Sequence, residues 1–216
     1  RNEFGGTLGG PEPVSGMPAS KYIPLIEEVP GENEVNQSDT FTMNISTFAN
    51  SYWFTNEQEG QELAAQWKIA GGYQVLYQPV GLAAQVLQGG YYTTIETYIF
   101  ADMEGARSAY SHLAKKLAAL PGTEKESPRG LANDSAAYSF VQGTVGVSDV
   151  VGVFHRFVFR RGNAVVSVQT YGGEPFMSID QAREIAVTVD QKMLGERTAT
   201  EPTPIPTPAT IGVSQD

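Results

Sequence analysis

The chain contains two histidines, His112 and His155, and no cysteine. Imidazole titrates close to neutral pH and ligates metals as a neutral base, so these two positions are the first to weigh. A metal site needs companion ligands at supporting spacing, and neither H-x-x-x-H nor H-x-H occurs. His112 falls beside the apolar stripe of an alanine-rich stretch, and His155 shares a strand face with Val151, Val153, Phe157 and Phe159. Both are expected to pack rather than to ligate or to move protons. Without Cys, disulfides, thiolate metal sites and a cysteine nucleophile are excluded. No serine sits in G-x-S-x-G, and neither Gly71-Gly72 nor Gly143-Thr-Val-Gly146 has the lysine and helix start of a phosphate loop. Glu27, Glu28, Glu32 and Glu34 gather near Asp39 around Gly31, without the alternation of a calcium loop, and read as a solvated acidic segment. No catalytic residue, metal ligand or cofactor is assigned.

Binding chemistry has one better candidate. Arg156 and Arg160 project from one face of a strand with Phe154 and Val158 near them, and Arg161 starts the following turn. Guanidinium forks pair bidentately with carboxylates, so the three could grip an anion. The competing expectation is that they lie over the rim of a sheet with their stems packed. Tyr98 completes the candidate ligand set; with Tyr91, Tyr92, Trp53 and Trp67 it is otherwise expected in core and sheet-face packing. Asn36, Asn44 and Asn133 each open an N-x-[ST] tripeptide and are candidate glycosylation sites.

The elements that must position these side chains follow from periodicity. Thr55 and Gln58 form a capping-box pattern ahead of Leu63, Trp67 and Ala70, and Gly71-Gly72 should end that helix. Residues 73–79 read as a short strand, and residues 91–100 alternate with a period of two. Asp102 should cap a helix with Ala106, Ala109, Tyr110, Leu113 and Leu117 on one stripe, ended by Pro121-Gly122. Residues 136–142 form another strand. Val150–Arg160 and Ala164–Tyr171 make a hairpin through Arg161-Gly162-Asn163, because Gly and Asn tolerate the positive φ of tight turns. Ser178 and Gln181 open a last helix that Gly195 closes. The expected fold is α+β: an antiparallel sheet with helices packed on one face, with an α/β/α sandwich as the variant.

Charge divides the chain. The net charge is −10, yet residues 41–195 carry only −3 of it. The acidity sits in the flanks, and a near-neutral body lacks the clustered Lys and Arg that nucleic acid requires. Residues 1–40 are expected to form a Gly/Pro-rich acidic tether, 41–195 a single domain, and 196–216 a Pro/Thr-rich tail favouring polyproline II. No apolar run reaches the ~20 residues of a membrane-spanning helix. Tails of this composition around a folded body suit an exported protein whose signal peptide has been removed.

Glu96-Thr-Tyr-Ile-Phe-Ala-Asp-Met-Glu-Gly-Ala106 and the alanine-rich helix after it resemble a recurring pattern in exported bacterial domains of unknown function. The segment Phe157-Val-Phe-Arg-Arg-Gly-Asn-Ala-Val-Val-Ser-Val-Gln-Thr-Tyr171 with its closing helix is similar to the second half of that pattern. The resemblance spans about residues 55–195, and no catalytic residue transfers with it. It implies a lipoprotein- or sensor-type module, in some cases with a Mog1/PsbP-like α/β/α sandwich, although no Cys is present to acylate. The leading expectation is a non-enzymatic extracytoplasmic binding or accessory module, secreted, periplasmic or at the cell surface. It would use a small ligand or protein partners, with self-assembly through the tails. The alternative is a structural subunit of a surface layer, filament or membrane-associated complex; a hydrolase with an unrecognised site ranks last.

Overall fold

The computed structural model describes residues 13–81, 92–144, 151–173 and 177–199. The expected Pro/Thr-rich run from 200 on, the first twelve residues, Tyr91 and the end of the Gly143–Gly146 segment lie outside them.

Eight antiparallel strands form one sheet among the described residues. They are β1 (Asn33–Val35), β2 (Phe41–Met43), β3 (Ile69–Pro79), β4 (Tyr92–Phe100), β5 (Glu124–Glu126), β6 (Ser135–Thr144), β7 (Val151–Arg161) and β8 (Ala164–Gly173). Their spatial order is β1-β3-β4-β8-β7-β6-β5, and β2 shares the outer edge of β3 with β1. Both edges are therefore closed by strands of three residues, too short to template further pairing. The α-helices among the described residues are α1 (Ile45–Ala49), α2 (Glu57–Trp67), α3 (Met103–Ala118) and α4 (Ile179–Leu194).

The α+β fold is as expected, and helices cover both faces, as in its sandwich variant. Every long strand buries side chains in both directions, so each face needs its own cover. On one face α4 packs through Ala182, Ile185, Ala186 and Val189 against Ile95, Phe157, Phe159, Val166 and Val168. On the other, α3 brings Ala106, Ala109, Leu113 and Leu117 onto Tyr98, Phe100, Val158 and Val165, joined by Phe48 of α1 and Trp67 of α2. The result is an α/β/α sandwich. Residues 13–40, read from composition as tether, include core: Ala19, Tyr22, Ile23 and Val29 are buried in the same cluster as the inner face of α4. Lys192 of α4 reaches Glu28 at 2.8 Å and ties this N-terminal strap down.

The caps are locally encoded. Asp102 accepts a hydrogen bond from the Gly105 amide at the start of α3, and Ser178 and Gln181 exchange bonds at the start of α4. The start of α2 differs by one residue: Asn56, rather than Thr55, accepts from the Glu59 amide. Its end differs more. Lys68 adopts a left-handed conformation (φ 55°) and β3 begins at Ile69, so Gly71-Gly72 lie inside a strand beside a register shift. At Gly72 a Cβ would meet the Thr97 carbonyl at 2.7 Å, which explains why glycine can serve within a strand there. The β7–β8 turn is Gly162-Asn163. Gly162 has φ 57°, and Asn163 clasps both the strap at Ser15 and the Phe100 carbonyl of β4.

Candidate functional site

Alternation along β4, β6, β7 and β8 puts the even-numbered residues of β4, β6 and β7, and the odd-numbered residues of β8, on the α3 face. Helices cover that face at one end of the sheet. Toward the other end three cross-strand rows appear in succession. The row nearest the helices holds Ala136, Val158, Ser167 and Glu96; the next holds Tyr138, Arg156, Gln169 and Thr94. The third holds Phe140, Phe154, Tyr171 and Tyr92, one ring from each of four adjacent strands.

That third row is a continuous aromatic ledge. Phe140 and Phe154 stack at 4.6 Å with 10° between their planes, and Phe154 lies 4.3 Å from Tyr171. Tyr92 follows at 5.5 Å from Tyr171, its hydroxyl accepting from Gln169 Nε2 at 3.2 Å. All four rings are half-buried. Above the middle row sits Tyr52, at the tip of the α1–α2 connection, with 56% of its surface exposed. Arg156 lies between these layers, its guanidinium 5.4 Å from the Tyr52 ring centroid and 6.0 Å from that of Phe140. Its Nε is buried without a hydrogen-bond partner. No carboxylate among the described residues stands within ion-pair distance of it.

Beneath Tyr52 lies Glu96, 3% exposed. The Tyr52 hydroxyl donates to its Oε2 at 3.0 Å, and the Tyr98 and Ser167 hydroxyls also hydrogen-bond with the carboxyl. Trp53 Nε1 in turn donates to the Tyr98 hydroxyl at 2.9 Å. Burial in the sheet raises the Glu96 pKa above its ordinary 4.5; the three hydroxyls and the Arg156 charge oppose that rise without cancelling it. The same burial, with Glu96 close by, pushes the Tyr52 hydroxyl well above 10, although the ring itself faces solvent. A positive guanidinium thus sits over an acid that resists ionisation.

The sequence candidates separate. Arg156 stands at this ledge. Arg160 points the same way but is 5% exposed, with Nε 2.6 Å from Asp134 and Nη1 donating to the Gly162 carbonyl at 2.8 Å. Arg161 points to the opposite face and forks onto Asp190 of α4, Nε at 2.8 Å from Oδ1. Tyr98 is fully buried under Trp53. These three hold the fold together, so the structure does not assemble a three-arginine grip. His112 is fixed by its Nε2–H donating to the Trp53 carbonyl at 3.0 Å, against the Phe54 and Trp67 rings. His155 is buried on the α4 face, in register with Ser139 and Thr170. Of the sequon asparagines, Asn36 caps a turn and donates to Gln78, Asn44 caps α1, and Asn133 is exposed. Among the described residues no group of three His, Asp or Glu converges as a metal site, and no helix is long and apolar enough to cross a membrane.

Glu96, Tyr52 and the aromatic row as a unit were not singled out from sequence; of the row only Tyr92 was weighed, with Tyr91 and Tyr98. Glu96 had a signal, as the one acid in an otherwise uncharged strand; the row had none, because it exists only through the register of four strands.

No protein-family description and no curated protein matches the chain. Among solved structures it is similar to the extracellular domain of PknH from Mycobacterium tuberculosis, with a TM-score of 0.52 and 14% identity. The match covers 86% of this chain and 100% of that one. At this identity the likeness concerns the fold: the same α+β sandwich serves as an extracellular domain elsewhere.

Proposed function

We propose that this chain is a non-enzymatic, extracytoplasmic binding module that recognises its ligand on the aromatic ledge beside Arg156. The observation that carries the reading is the guanidinium itself. It is held between Tyr52 and Phe140, with no carboxylate among the described residues at ion-pair distance, beyond the part of the face that α1, α2 and α3 cover. Charge is expensive to hold against apolar surface unless something compensates it, and a partly enclosed, unmatched arginine beside aromatic rings is the usual make-up of a recognition site. The other groups that could do chemistry are engaged elsewhere: His112 with a backbone carbonyl, Arg160 and Arg161 with aspartates. Extracytoplasmic placement draws support from the fold shared with an extracellular domain and from the composition of the flanks.

The test is a two-dimensional NMR titration with a mixed library of small acids, amines, sugars, peptides and amphiphiles. Binding should move the amides of Phe140, Phe154, Arg156, Gln169 and Tyr171 together. Shifts confined to other surfaces, or none with any compound, would end this reading.

A further inference from the structure

We propose that the ledge takes a single-chain anionic amphiphile, its carboxylate forked onto the Arg156 guanidinium and its alkyl chain lying along the row from Phe140 to Tyr92. The inference rests on the ledge being a ligand site and adds the class of ligand.

Three observations select that class. Arg156, which has no ion-pair partner among the described residues, calls for an anion, and a planar carboxylate fits its two parallel donors better than a spherical ion does. The row runs across four strands, about 14 Å at the usual strand spacing, which suits an extended chain better than a compact ring. Ring orientation then disfavours a platform for sugars or nucleobases, which need open aromatic faces at the centre of the row. Phe154 has one face on Phe140 and the other toward Tyr171, and Tyr52 has one face on Trp53 at 4.5 Å and Arg156 over its ring. What the row offers outward is ring edges, an apolar ridge with slightly positive hydrogens. A free amphiphile is favoured over a bilayer, because the body that carries the ledge, at −3 over residues 41–195, offers an anionic membrane surface no net attraction while a single carboxylate feels mainly the nearby guanidinium.

Isothermal titration of the whole chain with octanoate, decanoate and dodecanoate, each below its micelle concentration, tests this. Decanoate should bind one to one, with affinity rising along the series. Decyltrimethylammonium and acetate should bind about tenfold or more weakly, and Arg156→Gln should cost decanoate roughly tenfold to a hundredfold. Phe154→Ala should flatten the dependence on chain length while leaving the preference for carboxylate over ammonium. Circular dichroism verifies that the variants fold; should Arg156→Gln fail to, the headgroup series on the unaltered chain decides alone. Affinity indifferent to headgroup charge or to chain length overturns the inference. So does cosedimentation with phosphatidylglycerol vesicles, or self-association that Phe154→Ala abolishes, since each names another occupant. Absence of decanoate binding while a different library compound moves the ledge amides removes the ligand class and keeps the site; ledge amides that no compound moves remove both.

Discussion

Glu96 gives the most exacting check on the electrostatics of the ledge. In the folded chain its carboxyl is 3% exposed, accepts from the Tyr52 hydroxyl at 3.0 Å, and has a pKa raised by burial above the ordinary 4.5. In the unfolded chain it ionises normally. Between those two values the native state holds one proton more than the unfolded state, so stability falls as pH rises. Below 4.5 both states are protonated and the contribution is complete; above the folded pKa the loss is finished. For one proton the limiting slope is about 1.4 kcal/mol per pH unit. Glu96→Gln keeps an oxygen to accept from Tyr52 and removes the titration. Urea unfolding of both proteins, from about pH 5.5 to about pH 8, isolates this group because the other titrations cancel in the difference. The variant should gain on the parent as pH rises between the ordinary value and the folded one, and the gain should level off above the folded pKa. A difference that stays flat, or one that shrinks toward alkaline pH, would mean that Glu96 is ionised in the fold and pairs with Arg156. The unmatched guanidinium would then lose its basis.

Other outcomes follow from contacts elsewhere. Glu28 behaves oppositely: burial raises its pKa, but the Lys192 ammonium and the Leu25 amide bring it below 4.5. Its stabilisation is complete above the ordinary value and disappears as pH falls through the folded one, so Glu28→Gln should lag the parent at neutral pH and approach it on acidification in the same urea assay. Gly162→Ala would place a methyl 1.7 Å from the Pro13 carbonyl at a left-handed position, costing roughly 2–4 kcal/mol and releasing the Ser15 amide to fast hydrogen exchange. Gly105→Ala should destabilise by roughly 2 kcal/mol in thermal unfolding despite alanine's better helix propensity, because its Cβ would sit 2.0 Å from the Trp67 carbonyl where α3 meets α2.

How much of this could be read in advance depends on the range over which each signal acts. Capping and turn chemistry act over three or four residues, and Asp102, Ser178 with Gln181, Gly162-Asn163 and Gly195 stand where the sequence puts them. The three-residue strands β1, β2 and β5 are too short to show any period, and the strap's Tyr22, Ile23 and Val29 are scattered among prolines and acids that suggest a tether. Helices on both faces were harder still to see: β8 buries Val165 on one side and Val166 on the other, and a strand apolar on both sides gives no alternation to count.

The site lies at the far end of that scale. Arg156, Arg160 and Arg161 looked equivalent along the chain, and what separates them is whether an aspartate is brought opposite by another element. Asp134 precedes β6 and Asp190 comes from α4, and each arrives beside one arginine. The position facing Arg156 on β6 is Tyr138, and on β8 it is Gln169, neither of which can compensate a charge. Register therefore assigns two arginines to the architecture and leaves the third without a counter-ion among the described residues. A carboxylate introduced from the neighbouring strand, as in Gln169→Glu, should supply the missing counter-charge. It should raise stability modestly, by up to about 1 kcal/mol at a half-buried position, while abolishing the affinity for anions that the ledge is proposed to have. An increase in decanoate affinity in that variant would show that Arg156 serves only the fold.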